Sequence, residues 1–363
     1  MSAPGAGPTV TEAPKLSLLD TVPRAPDECG ISNDQLPHCR ISVIVPTRNR
    51  PVLLARTLAR IRTQSFTAFE VIVVDDGSSA DTRAAYDELW RALDARFVLL
   101  PLGAADAPGN GPSVSRNAGI AAARGDILTF CDDDDFWTSD AHLAAMAEVF
   151  DAPLQVDLYI ANQSAVSSSG VLENRDWLPA LVAMVRERAR SHAHGFQIAL
   201  TDLVRGGGFA QLNILAVRRT LALAVDGFWT RTSYEEDRDF FWRAADRARS
   251  VFFNPQLVAQ HNVPDPARRD NLSRRFSQDE RWLISALVSQ HIALNVSSPA
   301  IRALCQSYEG DILRRLSQLL SGQGKHALGL QYARRALAAR ASFKWAVYTA
   351  SLACRQLIRG RAA

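Results

Sequence analysis

Between Ile41 and Cys131 the chain alternates short apolar runs with segments of helical spacing, and three of the apolar runs end in polar clusters. Ile41–Pro46 predicts a strand and Val52–Ile61 a helix. The pattern recurs with strands at Phe69–Val74, Phe97–Leu100 and Asp126–Cys131 and helices over 80–92 and 113–124. Such alternation predicts a parallel, doubly wound sheet, where ligands sit beyond the carboxyl ends of the strands. Those ends carry Pro46-Thr47-Arg48-Asn49, Asp75-Asp76-Gly77-Ser78 and Asp132-Asp133-Asp134-Asp135.

The 363 residues suffice for roughly two domains. Residues 1–38, proline-rich and without periodicity, are expected to be a flexible leader. The folded part runs over 40–265, and from 274 to 363 leucine and alanine interleave with arginine at helical spacing, predicting a helical subdomain. A net charge of +3 excludes a nucleic-acid partner recruited by overall charge. The five cysteines are scattered without a CxxC, which suggests neither a disulfide framework nor a zinc site and fits a reducing cytoplasm. The first residues lack the basic and apolar regions of a secretory signal, and arginines and prolines break every long apolar run, so neither export nor a membrane span is expected.

Four consecutive aspartates after a buried strand repel one another unless a cation compensates. A hard divalent ion, Mg²⁺ or Mn²⁺, is a natural counter-charge that leaves coordination positions for substrate phosphates. The competing reading is a solvated acidic loop capping a helix that starts near Ser139.

The runs Ile41-Ser-Val-Ile-Val-Pro-Thr-Arg-Asn-Arg50, Val71-Ile-Val-Val-Asp-Asp-Gly-Ser78, Ser115-Arg-Asn-Ala-Gly119 and Phe130-Cys-Asp-Asp-Asp-Asp-Phe-Trp137 resemble, in order and spacing, the family 2 glycosyltransferases. The resemblance covers about 40–262 and implies a GT-A fold: an α/β, Rossmann-like mixed sheet flanked by helices. It implies an inverting transferase using Mn²⁺ or Mg²⁺ and a nucleoside-diphosphate sugar donor, with a glycan or lipid-linked saccharide as acceptor. By it Asp132 and Asp134 form the Asp-x-Asp pair, Asp132 near the ribose and Asp134 binding the metal; Asp133 takes the middle position and Asp135 supports the loop. Pro46, Thr47, Arg48, Asp75 and Asp76 line the base pocket. A carboxylate there accepts a hydrogen bond from a pyrimidine imide, favouring uracil or thymine, and which of Asp75 and Asp76 does so stays open. Arg116 contacts phosphate or pairs with Asp132.

Tyr234-Glu235-Glu236-Asp237 resembles the family's Glu-Asp motif, which makes Asp237 the candidate base and Glu236 its orienting neighbour; an acidic first helical turn is the alternative. His261 resembles a further metal ligand, against a hydrogen-bonded loop histidine. Gly206-Gly207-Gly208 fits an acceptor-side loop. His192 and His194 are expected at the surface, and Trp137, Trp229 and Trp242 in the core rather than stacked on sugars. Arg268, Arg269, Arg274 and Arg275, with Arg314 and Arg315, form either a solvated surface or a basic face for phospholipid headgroups, which leaves peripheral contact with the inner face of a membrane open. The rival functions are a nucleotidyltransferase, disfavoured because the first loop is Pro-Thr-Arg-Asn-Arg-Pro rather than glycine-rich, and a non-catalytic nucleotide-sugar-binding or partner-binding protein.

Overall fold

A computed structural model describes residues 39–167, 169–263 and 276–360. The expected leader and Arg268, Arg269, Arg274 and Arg275 lie outside the described residues. The first half comprises β1 Ile41–Thr47, α1 Pro51–Arg62, β2 Phe69–Asp75, α2 Ala80–Trp90, β3 Phe97–Pro101, α3 Pro112–Ala122 and β4 Ile127–Phe130. There follow β5 Phe136–Trp137, α4 His142–Asp151, β6 Leu158–Val166, β7 Leu172–Asn174, α5 Pro179–Val185, β8 Phe196–Ile198, α6 Leu200–Gly206, β9 Leu215–Arg218, α7 Arg219–Ala224, α8 Glu236–Arg247 and β10 Val251–Asn262. Four helices complete the described chain: α9 Gln278–Asn295, α10 Pro299–Gly322, α11 His326–Ala339 and α12 Phe343–Gly360.

The strands form one sheet in the order β3-β2-β1-β4-β9-β6-β10-β5, with β7 beside β6 and β8 beside β10. β3, β2, β1 and β4 are parallel, and β1 and β2 are buried almost throughout, as expected where helices cover both faces. Beyond β4 the sheet is mixed, because β9 runs antiparallel to both β4 and β6. The parallel half is what the strand–helix alternation predicts and the mixed half is what the resemblance implies; β9 runs on directly from a 3-10 turn at Leu212–Ile214 that follows α6.

α3 packs so closely on β1 that a Cβ added at Gly119 would stand 2.4 Å from Ile44 Cγ2. Gly119→Ala therefore overpacks the sheet and is expected to destabilise the fold by about 1–3 kcal/mol, measured as a lower urea midpoint.

The C-terminal helices are not simply appended. Val288, Ile292, Val296, Ile301 and Cys305 belong to the core that covers the sheet, whereas Ile312, Leu313, Leu316, Leu330, Ala333, Ala336, Trp345 and Leu352 form a second, smaller core. Among the described residues no helix is long and apolar enough to cross a membrane.

Candidate active site

The carboxyl ends of β1, β2 and β4 converge. Asp75 is wholly buried and committed to its own turn, accepting the Ser78 N–H at 3.0 Å and Arg83 Nε at 2.8 Å. Asp76 instead faces the segment that leads into α3. One oxygen accepts from the Asn110 backbone (2.8 Å) and side chain (3.0 Å), and the other from the Gly111 N–H (2.8 Å). Arg48 donates to the Ala107 carbonyl at 3.0 Å beneath Gly109, where a Cβ would stand 2.1 Å from its Nη1. Pro46 is half-buried, and Thr47 is buried and donates to Asp133 at 2.7 Å. These members of the expected base pocket are thus adjacent, with Asp75 enclosed beside Ser78 and Arg83.

The acidic run is not a solvated loop, since Asp133 is 5% and Asp135 2% exposed, and none of its side chains caps α4. Each carboxylate has a cationic neighbour. Arg116 Nη2 reaches Asp132 at 2.7 Å, Arg50 Nη1 lies 3.0 Å from Asp133 and 2.9 Å from Asp134, and His261 Nδ1 is 2.9 Å from Asp135. The Thr57 hydroxyl pins the loop from α1, 2.7 Å from the Asp135 carbonyl and 3.0 Å from that of Asp133. Burial raises Asp133 to about 6 despite Arg50. Asp134 is raised to about 7, by burial first and then by Asp135, Asp133 and Asp132. Asp135 is raised by burial. For His261 burial opposes the charge but Asp135 outweighs it, so the imidazolium is favoured.

Asp134, which shares Arg50 with Asp133, is the member of the run whose charge is compensated least. Among the described residues no three His, Cys, Asp or Glu side chains form a ready-made metal cluster. The donors still fit a hard divalent ion whose shell is completed by phosphate and water: a partly exposed carboxylate, and a histidine whose Nδ1 is oriented by Asp135 and whose Nε2 would coordinate once the ion displaces its proton.

α8 supplies the other wall. Its first residue, Glu236, is buried and accepts Arg116 Nη1 at 2.9 Å, so one guanidinium joins the acidic loop to α8. Arg116 is itself buried, 5.5 Å from the Phe228 ring centroid, and pairs with Asp132, one of the two contacts the resemblance implies for it. Asp237 is partly exposed, and burial and then Glu236 raise it to about 7. The sequence reading missed what fixes α8 from behind. Arg238 pairs with Glu235 at 2.7 Å, bonds the Ser285 carbonyl and Ser289 hydroxyl of α9, and lies 4.3 Å over the Tyr308 ring of α10. Asp239 holds His291 at 2.6 Å, and that imidazole stacks on Trp229 at 3.8 Å. It also missed Arg50 and Thr57. A charge count over the acidic run was the available signal for Arg50; nothing local marks His291.

Trp137 and Trp242 are core residues, and Gly207 ends α6 at φ +66°. His194 meets Glu148 at 2.7 Å, away from the acidic loop.

Residues 42–208 match the family model described as glycosyl transferase family 2. The chain is 39% identical over 102 residues to the GalNAc(5)-diNAcBac-PP-undecaprenol β-1,3-glucosyltransferase of Campylobacter jejuni, covering 28% of this chain and 32% of that one. It is 34% identical over 112 residues to the uncharacterized glycosyltransferase YwdF of Bacillus subtilis, covering 30% and 37%. The chain therefore spans about a third of the length of these curated relatives. In fold it is similar to residues 1–349 of S. aureus TarS, with a TM-score of 0.56, 19% identity and coverage of 83% of this chain and 80% of that one. TarS has also been solved with UDP and with UDP-GlcNAc. With its mixed sheet, three converging strand ends and acidic loop, the chain has the GT-A fold, and its segment 42–208 belongs to glycosyl transferase family 2.

Proposed function

We propose that this chain is a metal-dependent, inverting glycosyltransferase that moves a sugar from a UDP- or dTDP-sugar to a hydroxyl of a glycan or lipid-linked saccharide. The observation that supports the reading is the Asp132–Arg116–Glu236 bridge, which ties the acidic loop to the first turn of α8, the turn that carries Asp237. Asp76 rather than Asp75 meets the base, because Asp75 is enclosed with Arg83 while Asp76 holds only the segment over the opening. Thr47, Arg48 and Pro46 line the same pocket, and Asp132 and Asp133 flank the diphosphate. The UDP complexes of TarS support a uridine donor, and the name of the Campylobacter relative supports a lipid-linked acceptor.

Asp134, with His261 through Nε2, would hold Mg²⁺ or Mn²⁺, whose chemistry is to neutralise charge on a departing nucleoside diphosphate. The acceptor oxygen attacks the anomeric carbon on the face opposite the diphosphate, the bond to the phosphate oxygen breaks with its electron pair, and Asp237 takes the acceptor proton. A carboxylate raised to about 7 suits that transfer near neutral pH. Glu236, tied to Arg116, keeps the first turn of α8 in place while this happens.

Thermal shift with UDP, dTDP, GDP, ADP and CDP, with and without Mn²⁺, tests the reading. UDP or dTDP should raise the melting temperature only with the metal, by the equivalent of about 2.7 kcal/mol at about one hundred times the dissociation constant. Asp134→Asn should remove the metal-dependent part. A protein that no nucleotide stabilises would overturn the assignment.

A further inference from the structure

We propose that the outer face of α12 docks on an anionic phospholipid surface. The inference is independent of the transferase reading. α12 carries two apolar faces. The inner one packs Trp345, Thr349 and Leu352 toward the protein, and Trp345 Nε1 donates to the Ala333 carbonyl of α11 at 2.9 Å. The outer one is Phe343, Val347, Ala350, Cys354 and Leu357, spaced by four, three, four and three residues and so aligned along one side of the helix. All five are exposed, with Phe343 at 87%, Val347 at 55% and Leu357 at 69%. Lys344 and Arg355, both exposed and three turns apart, run together along one flank of this stripe.

Charge decides the occupant. Between Pro299 and Gly360 ten basic residues stand against two acidic ones, Glu309 and Asp311, in a chain whose formal total is only +3. Arg315, Lys325, Arg334, Arg335 and Arg340 are exposed along with Lys344 and Arg355. A four-three stripe also suits pairing with a second copy, but a second copy brings the same positive excess against itself. An anionic bilayer presents the opposite charge to the basic flank and an apolar boundary to Phe343, Val347 and Leu357, which is the composition of a helix that lies in the membrane interface. α12 is neither long nor apolar enough to cross.

Flotation of the full chain with vesicles at physiological salt tests this. Phosphatidylcholine vesicles containing about one-third phosphatidylglycerol should carry the protein, pure phosphatidylcholine vesicles should carry far less, and added salt should weaken the binding. Phe343→Ser with Leu357→Ser should weaken partitioning at least about tenfold. Lys344→Gln with Arg355→Gln should weaken it by roughly tenfold or more. All four positions are exposed, so circular dichroism and the melting temperature should not change. The proposal is overturned if the wild type ignores both vesicle types, if it binds both equally, or if the serine pair floats like the wild type. It is equally overturned if the wild type is a dimer that binds no vesicles and the serine pair is a monomer, which would make the stripe a helix-pairing seam.

Discussion

Asp237→Asn should lower turnover by about 10²–10⁴-fold while leaving metal-dependent nucleotide binding intact, because general-base catalysis contributes on that order and the amide cannot accept the acceptor proton. The pH dependence follows from the same group. Only the ionised carboxylate is a base, so wild-type turnover should rise with pH through about 7 and level off above it. Stability should move the other way. An unfolded aspartate titrates near 3.9, whereas the folded one is held up to about 7. The folded state therefore binds more protons between these values, and the contribution of Asp237 is fully present below about 4 and lost as pH rises through about 7. The asparagine variant has no such loss. At pH 8 it should melt at a higher temperature than the wild type, with the gap closing in acid, the pattern of a site that trades stability for reactivity. Full turnover in the variant, or a wild-type profile flat between pH 6 and 8, would remove Asp237 from the role.

The parallel half of the sheet was legible because its strands are buried on both faces and read as unbroken apolar runs, Val71–Val74 above all. The mixed half came only through the family resemblance, since β9 is four residues long and its direction is set by pairing with β4 and β6 rather than by any periodicity of its own. The carboxylates of the site stood out as clusters at strand ends and at the first turn of α8. Of their compensating cations only Arg116 was named, and only for Asp132. Arg50 lies 83 residues from Asp133, and Arg116 lies 120 residues from Glu236, so only the fold brings them together. The same holds for Arg238 and Asp239, which look like members of a charged helical surface. They point instead into α9 and α10, whose helical periodicity was visible but whose partners were not.

Arg116→Met tests whether that bridge organises the site. Removing one guanidinium leaves Glu236 buried without its partner and Asp132 facing it, and breaking a buried ion pair in this way typically costs about 3–5 kcal/mol. Asp132 is 40% exposed and water relieves its share, so the loss should fall toward the low end, about 3 kcal/mol, read as a drop in the urea midpoint at constant m-value. Arg116→Lys keeps the charge but has no fork to span both carboxylates and should recover only part of the loss. A second effect separates the bridge from mere packing. The field of Arg116 lowers the Asp237 pKa against burial and Glu236, so without it the acid limb of turnover should move above pH 7. Arg116→Met with wild-type stability and an unmoved limb would mean that the acidic loop and α8 are held in register by the backbone alone. A displaced limb would show that the same cation aligns the donor side with the base and tunes that base.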